Sequence, residues 1–162
     1  MSDILGLRGE SIFILLITEL HQTGAIFRPG FMGDKWPYVD FYVELIGANS
    51  TIPHFCVQVK TTRSGYTEKL NRLKISQVSE DKIIGLAHRP SPTYLVGIDE
   101  PQRKGYIVSA NGENLKSLSS VSTKFPINEE NRIILWNEVN KFWHEHQNKN
   151  NFVSYFVDNE WR

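Results

Sequence analysis

A single cysteine, Cys56, stands in this chain of 162 residues, which excludes an intrachain disulfide and a zinc site built on a cysteine cluster. Apolar runs are short. The longest, Ile12 to Ile17, is six residues, against the roughly 20 that a membrane-spanning helix requires. No basic region followed by an apolar core and a small-residue cleavage site opens the sequence, so no signal peptide and a cytoplasmic location are expected. Neither sign of charge is in surplus: 18 Lys and Arg face 18 Asp and Glu. That balance counts against a dedicated nucleic-acid-binding module, which usually carries a basic excess. It does not count against a nuclease, whose active-site acids offset local basic patches. Walker loops, GxGxxG and Ser-His-Asp patterns are missing. The five histidines (His21, His54, His88, His144 and His146) show neither HExxH nor a paired spacing on one face, which argues against zinc.

What is present is the composition of a globular domain, 40% hydrophobic and 22% charged. No repeat or linker divides it, so residues 1–162 are expected to form one domain with a C-terminal helical extension from about residue 128. Apolar residues at three- and four-residue intervals from Asp3 to Gln22 predict a helix with Ser2 or Asp3 as N-cap and Gly24 as its stop, its first turns weakened by Gly6 and Gly9. Ala25–Phe31 predicts a short extended piece broken by Pro29-Gly30. Tyr38–Ile46 and His54–Thr62 predict strands joined by a hairpin-length loop, hence antiparallel neighbours. Arg63–Arg72 reads as a mobile loop, Leu73–His88 as a helix ended by Pro90 and Pro92, and Thr93–Asp99 and Gly105–Ala110 as strands. Asn111–Ser122 reads as loop or short helix, Asn128 opens a further helix, and Phe152–Val157 is a last apolar strand or helix. The fold class is mixed α/β (α+β), a central mixed sheet of four to five strands flanked by helices.

Strand His54–Thr62 carries the chemistry. Alternation puts Phe55, Val57, Val59 and Thr61 on one face and Cys56, Gln58, Lys60 and Thr62 on the other. Gln58 and Lys60 thus stand about 7 Å apart on one face. A polar pair facing inward from a core strand costs free energy unless it is hydrogen-bonded or functional. In strand Tyr38–Ile46, Val39, Phe41, Val43 and Leu45 form an apolar face; Tyr38, Asp40, Tyr42, Glu44 and Ile46 form the other. Asp40 is the acid of interest, Glu44 an ordinary solvent-facing residue. Glu10 lies three and four residues before Phe13 and Ile14, near the apolar face of the first helix. Glu10, Asp40, Gln58 and Lys60 together offer two carboxylates, an amide oxygen and an ammonium. That set suits Mg²⁺, which prefers oxygen ligands; the uncharged Gln58 should hold it less tightly than an acid would.

Three motifs, Arg8-Gly9-Glu10 on the first helix, VDFYVEL around Asp40 and CVQVK across Gln58–Lys60, resemble the PD-(D/E)XK nuclease-like superfamily with its restriction-endonuclease-like fold. Within it they are similar to the QxK variant of Mrr-type endonucleases and to an uncharacterised bacterial branch. The resemblance covers the first two-thirds of the chain. It implies Asp40 as main metal ligand, Gln58 as variant second ligand, Lys60 as catalytic lysine and Glu10 reaching the metal directly or through water. Val39 stands where many members have proline. The implied function is Mg²⁺- or Mn²⁺-dependent hydrolysis of DNA phosphodiester bonds, in defence, restriction or repair, with RNA a further substrate class. A second reading is an inactive nuclease-fold module that binds nucleic acid or a protein partner. Arg63, Lys69, Arg72 and Lys74 follow the active strand and are candidate phosphate contacts. The length leaves no room for a separate DNA-reading domain, so a homodimer or a larger assembly is expected. Trp136 and Trp143, seven apart on one helical face, read as core packing, and Cys56 as inert packing.

Overall fold

The computed structural model describes residues 2–33, 36–48, 53–146 and 152–161. Helix α1 spans Ser2–Ile17, followed by strands β1 (Phe27–Phe31), β2 (Phe41–Leu45) and β3 (His54–Thr62). Next come β4 (Arg72–Val78), α2 (Glu80–Ala87), β5 (Thr93–Asp99) and β6 (Lys104–Ser109). The chain ends with β7 (Leu118–Ser122), α3 (Glu129–Lys141), a π-helical turn over Phe142–His146 and an irregular tail. Five strands form one mixed sheet in the order β1-β2-β3-β5-β6, while β4 and β7 form a separate two-stranded ribbon. The mixed α/β class with a five-stranded, helix-flanked sheet is as expected. Among the described residues no helix is long and apolar enough to cross a membrane.

The register follows from the side-chain pattern. β2 and β3 pair antiparallel, with Phe41 opposite Val57 and Val43 opposite Phe55, as the short loop between them predicts. β3 and β5 run parallel, from Cys56 opposite Thr93 to Thr62 opposite Asp99. A parallel pair needs a crossover, and here the crossover consists of β4 and α2. β5 is buried along its whole length because both faces of the sheet are covered, the condition under which a strand reads as a continuous apolar run.

Each face of the sheet has its own core. On one, Phe13 and Ile17 of α1 and Leu135 and Val139 of α3 pack against Phe41, Phe55 and Val57. On the other, Leu73 and Val121 of the ribbon and Ile83 and Leu86 of α2 pack against Cys56, Leu95 and Val108. Burying each large side chain contributes roughly 1.5–3 kcal/mol, so the two layers hold the sheet from both sides. Trp136 and Trp143 pack against the first core. Their indole N–H groups donate to the carbonyls of Ile46 (3.1 Å) and His54 (2.8 Å), which ties the last helices to the ends of the β2–β3 hairpin.

Several boundaries differ from the sequence pattern. α1 begins at Ser2 despite its glycines and stops at Ile17 rather than running to Gln22. Beyond it Leu20 is 73% exposed, so the apolar rhythm continues where no sheet lies beneath it. Gly24, with φ 103°, closes a tight turn against His21 instead of capping the helix. Leu73–His88 is not one helix. Arg72–Val78 is strand β4, and Ser79 caps α2 by accepting from the Lys82 N–H. Leu73 and Ile75 are buried in alternation, a period-two signal that four apolar residues further on masked. Leu118–Ser122, expected as loop or short helix, is β7, held by pairing with β4. Phe152–Val157 is neither strand nor helix, yet Phe156 is fully buried and its carbonyl accepts from Ser109 N–H at 2.8 Å. Val39 leaves the face shared by Phe41, Val43 and Leu45 and joins the opposite core, because β2 starts only at Phe41 and Tyr38 has φ 65°.

Candidate functional site

Asp40 sits just before β2 and is locked to β3 on both sides of Gln58. Its backbone N–H donates to the Val57 carbonyl at 2.9 Å. Its carboxylate Oδ2 accepts from the Val59 N–H at 2.7 Å. The antiparallel register, with Phe41 opposite Val57, brings Asp40 to the level of Gln58, so two residues far apart in the chain meet as neighbours. Gln58 is 8% exposed, and its Oε1 is buried with no hydrogen-bond partner among the described residues. A buried amide oxygen left in that state costs about 1–3 kcal/mol. Lys60, one alternation further along, is half-buried.

Electrostatics link Glu10 and Lys60 to Asp40. Burial pushes the Asp40 carboxyl up, against the opposing influence of the Val59 N–H and the Lys60 ammonium. Burial also pushes Glu10 up, and the charge of Asp40 raises it further. Lys60 is lowered by burial and by the neighbouring Lys82, while Asp40 works in the other direction. Helix α1, the segment just before β2, and strand β3 therefore place Glu10 and Lys60 within electrostatic reach of Asp40, and the strand register puts Gln58 level with it. A carboxylate that raises the proton affinity of a second one beside it marks a site short of positive charge. Asp40, Gln58 and Glu10 supply hard oxygen donors for a divalent cation such as Mg²⁺, and the unpartnered Gln58 Oε1 fits that use. No group of three or more His, Cys, Asp or Glu side chains suited to a metal is assembled among the described residues; the acids here are a pair, with the third oxygen an amide.

Glu10 reaches this group because α1 approaches β3 closely. Residue 9 is glycine, and a Cβ there would lie 1.6 Å from Thr61 Oγ1 and 2.6 Å from Thr61 Cβ and Cγ2. Arg8, on the other side of Gly9, donates to Glu100, which also accepts from Arg63 at 2.8 Å. These two hydrogen bonds hold the Glu100 carboxyl below its usual range, Arg8 first. Gly9→Ala is expected to destabilise the protein by about 1–3 kcal/mol through overpacking and to move Glu10 away from Asp40. Gly6→Ala, in the same helix with nothing within 4 Å of the added Cβ, is expected to be neutral or stabilising by up to about 1 kcal/mol. Urea unfolding of both variants checks the contrast.

The basic residues after β3 do not form one set. Arg72 is committed inside the protein: it donates to both oxygens of Asp158 (2.8 and 2.7 Å) and to Ser120 Oγ (2.8 Å), and its side chain is 11% exposed. As a phosphate contact it is therefore replaced by a structural tie between β4 and the tail. Arg63 is exposed but shared with Glu100. Lys69 and Lys74 are exposed and have no ion-pair partner among the described residues. Lys82, which the sequence reading passed over, stands on α2 close enough to lower Lys60. A helix drawn over Leu73–His88 has the wrong start and phase to reveal it. The N-cap Ser79, followed by Glu80 and Asp81 in the first turn, was the signal that a short helix begins there. Compared with known proteins, the chain matches no family model, no curated protein and no solved structure.

Proposed function

We propose that this protein is a metal-dependent phosphodiesterase acting on nucleic acid, DNA in the first place, through a PD-(D/E)XK-like site of the QxK type. The observation that carries the reading is the buried, unpartnered Oε1 of Gln58 beside a carboxylate fixed by the backbone of the same strand. Asp40, Gln58 and Glu10 would hold the cation, which when bound polarises a phosphate and makes its water a better nucleophile. The Val59 N–H holds the Asp40 carboxylate in place, so no reorganisation is needed on binding. Lys60 places a half-desolvated ammonium next to Asp40, suited to neutralising charge that develops on phosphate oxygens. Lys82 adds a second cation nearby, suited to drawing a phosphodiester toward the acids.

The test is cleavage of labelled single-stranded, duplex and branched DNA, and of RNA, by the wild-type protein with Mg²⁺ or Mn²⁺. Cation-dependent products that disappear with EDTA are expected. No product on any substrate with either metal, together with no heat of Mn²⁺ binding by calorimetry, would remove the reading. The second reading, a module that binds without cutting, is favoured by the two-acid composition of the site. It expects nucleic-acid binding that survives Asp40→Ala and takes up no metal.

A further inference from the structure

Apart from the acid–lysine site, a cavity of about 560 Å³ lies at the tip of the β5–β6 hairpin, and none of Glu10, Asp40, Gln58 or Lys60 lines it. Its volume is that of a small-molecule site, a class that is mostly apolar with a few placed polar groups. Leu16 and Ile127 supply apolar lining and pack together over Gly105, where a Cβ would lie 2.9 and 3.1 Å from their Cδ1 atoms. Tyr66 and Tyr106 line it too, with their rings edge to face at 6.1 Å. The Tyr66 hydroxyl donates to the buried Asp99 at 2.6 Å and bonds the Tyr106 hydroxyl at 2.9 Å, so both rings are fixed.

Two further lining residues hold a backbone conformation that their side chains disfavour. Leu70 has φ 56° and Arg103 φ 54°. Each ends a tight turn: the Leu70 N–H donates to the Thr67 carbonyl at 2.8 Å, and the Arg103 N–H to the Glu100 carbonyl at 3.2 Å. Hairpin chemistry favours glycine or asparagine at such a left-handed position, because a Cβ there crowds the backbone. The chain does use glycine in that region at Gly47 and Gly65. Here it holds instead a leucine that is 72% exposed and an exposed arginine, both on one cavity. Neither side chain is rewarded by burial, and strain of this kind clusters at ligand clamps.

Charge at the cavity has one sign. Arg103 and Lys104 line it and no acidic residue does; neither cation has an ion-pair partner among the described residues. The acids next to them in the chain are committed elsewhere, Glu100 to Arg8 and Arg63 and Asp99 to Tyr66. A carboxylate or phosphate would find charged donors there, and a flat ring would find Tyr66, Tyr106 and Leu70. We propose that this cavity binds a small molecule that joins an aromatic ring to one anionic group, with Leu70 against the ring and Arg103 and Lys104 holding the anion. Sharing no residue with the acid–lysine site, the cavity takes this ligand whether or not the protein cuts nucleic acid.

Calorimetric titration of the full chain in metal-free buffer tests this with five probes. Indole-3-acetate and adenosine 5′-monophosphate join ring and anion, and their comparison separates a carboxylate ligand from a phosphate one. Adenosine is a ring alone, inorganic phosphate an anion alone, and tryptamine a ring with a cation. At least one ring–anion probe is expected to bind about tenfold or more tighter than the other three, the size of one charge-assisted hydrogen bond. Arg103→Gly should erase that preference, and Leu70→Gly should weaken the favoured probe by about tenfold through lost apolar contact. Both substitutions relieve the left-handed strain, so the free variants should melt at or above the wild-type temperature. A residue kept only for the turn would not lose binding while holding stability. No binding of either ring–anion probe at millimolar concentration, or tryptamine binding as tightly as indole-3-acetate, would overturn the site. So would wild-type affinity in either variant, or a lower melting temperature in both.

Discussion

Lys60→Met is expected to slow metal-dependent cleavage by about 10²–10³-fold, the usual effect of removing one pre-organised electrostatic group, while Mn²⁺ binding persists. Asp40→Asn is expected to abolish both. The two variants separate chemistry from metal binding because the residues contribute different things. Lys60 is a half-buried cation whose proton is already weakly held, through burial and then the proximity of Lys82. Methionine preserves most of its volume, and replacing a desolvated charge by an apolar chain of similar size is often neutral for stability. The change in rate therefore does not arise from unfolding. Asparagine at position 40 keeps an oxygen able to accept from the Val59 N–H, so the backbone tie survives while the charge is lost. Single-turnover cleavage together with Mn²⁺-induced shifts in melting temperature checks both halves. A Lys60→Met protein that cuts at the wild-type rate would show that the ammonium takes no part in the reaction.

Gln58→Glu should tighten Mn²⁺ binding by about tenfold or more, since the number of charged oxygen ligands is a main determinant of cation affinity. Without metal, the same change should destabilise the protein by on the order of 2–4 kcal/mol at neutral pH, because a third carboxylate would be buried beside two others. The new carboxyl would have its pKa raised in the folded state. Its protonated form is therefore tolerated, and the destabilisation grows as pH rises past the unfolded value of about 4.3. The gap in melting temperature between variant and wild type should accordingly close as pH falls toward that value and widen above it. Calorimetric titration with Mn²⁺ and melting curves across the acid range test the two parts. Unchanged Mn²⁺ affinity would place the residue 58 side chain outside the cation site.

Much of the candidate site was legible in the chain because its placement depends on strand parity. HFCVQVKTT alternates cleanly, and β3 spans His54–Thr62 as the pattern predicts. Cys56 and Gln58 do fall on a face separate from Phe55 and Val57, but a second core covers that face as well. The apolar core face of β2 from Phe41 to Leu45 and the antiparallel hairpin were equally readable. So was the start of α3, where the Asn128 side chain caps by accepting from the Asn131 N–H at 2.9 Å. In all of these the signal is local: residues within one or two turns, or one alternation, of each other decide the geometry.

What the chain by itself determined was therefore the mixed α/β class and the two central strands, and it put forward Glu10, Asp40, Gln58 and Lys60 as candidates. Tertiary structure alone decided the rest. β4 and β7 exist because they pair with each other and lie on the second face of the sheet. That ribbon shortens the following helix to Glu80–Ala87 and so sets where Lys82 stands. Arg72 looked like a free cation until Asp158, from the far end of the chain, closed on it. The closeness of Glu10 to Asp40 depends on a glycine meeting Thr61 across a helix–strand contact. Periodicity reports which side of an element is buried; which element lies against that side is set by contacts between residues distant in the chain, and such contacts leave no pattern in neighbouring residues.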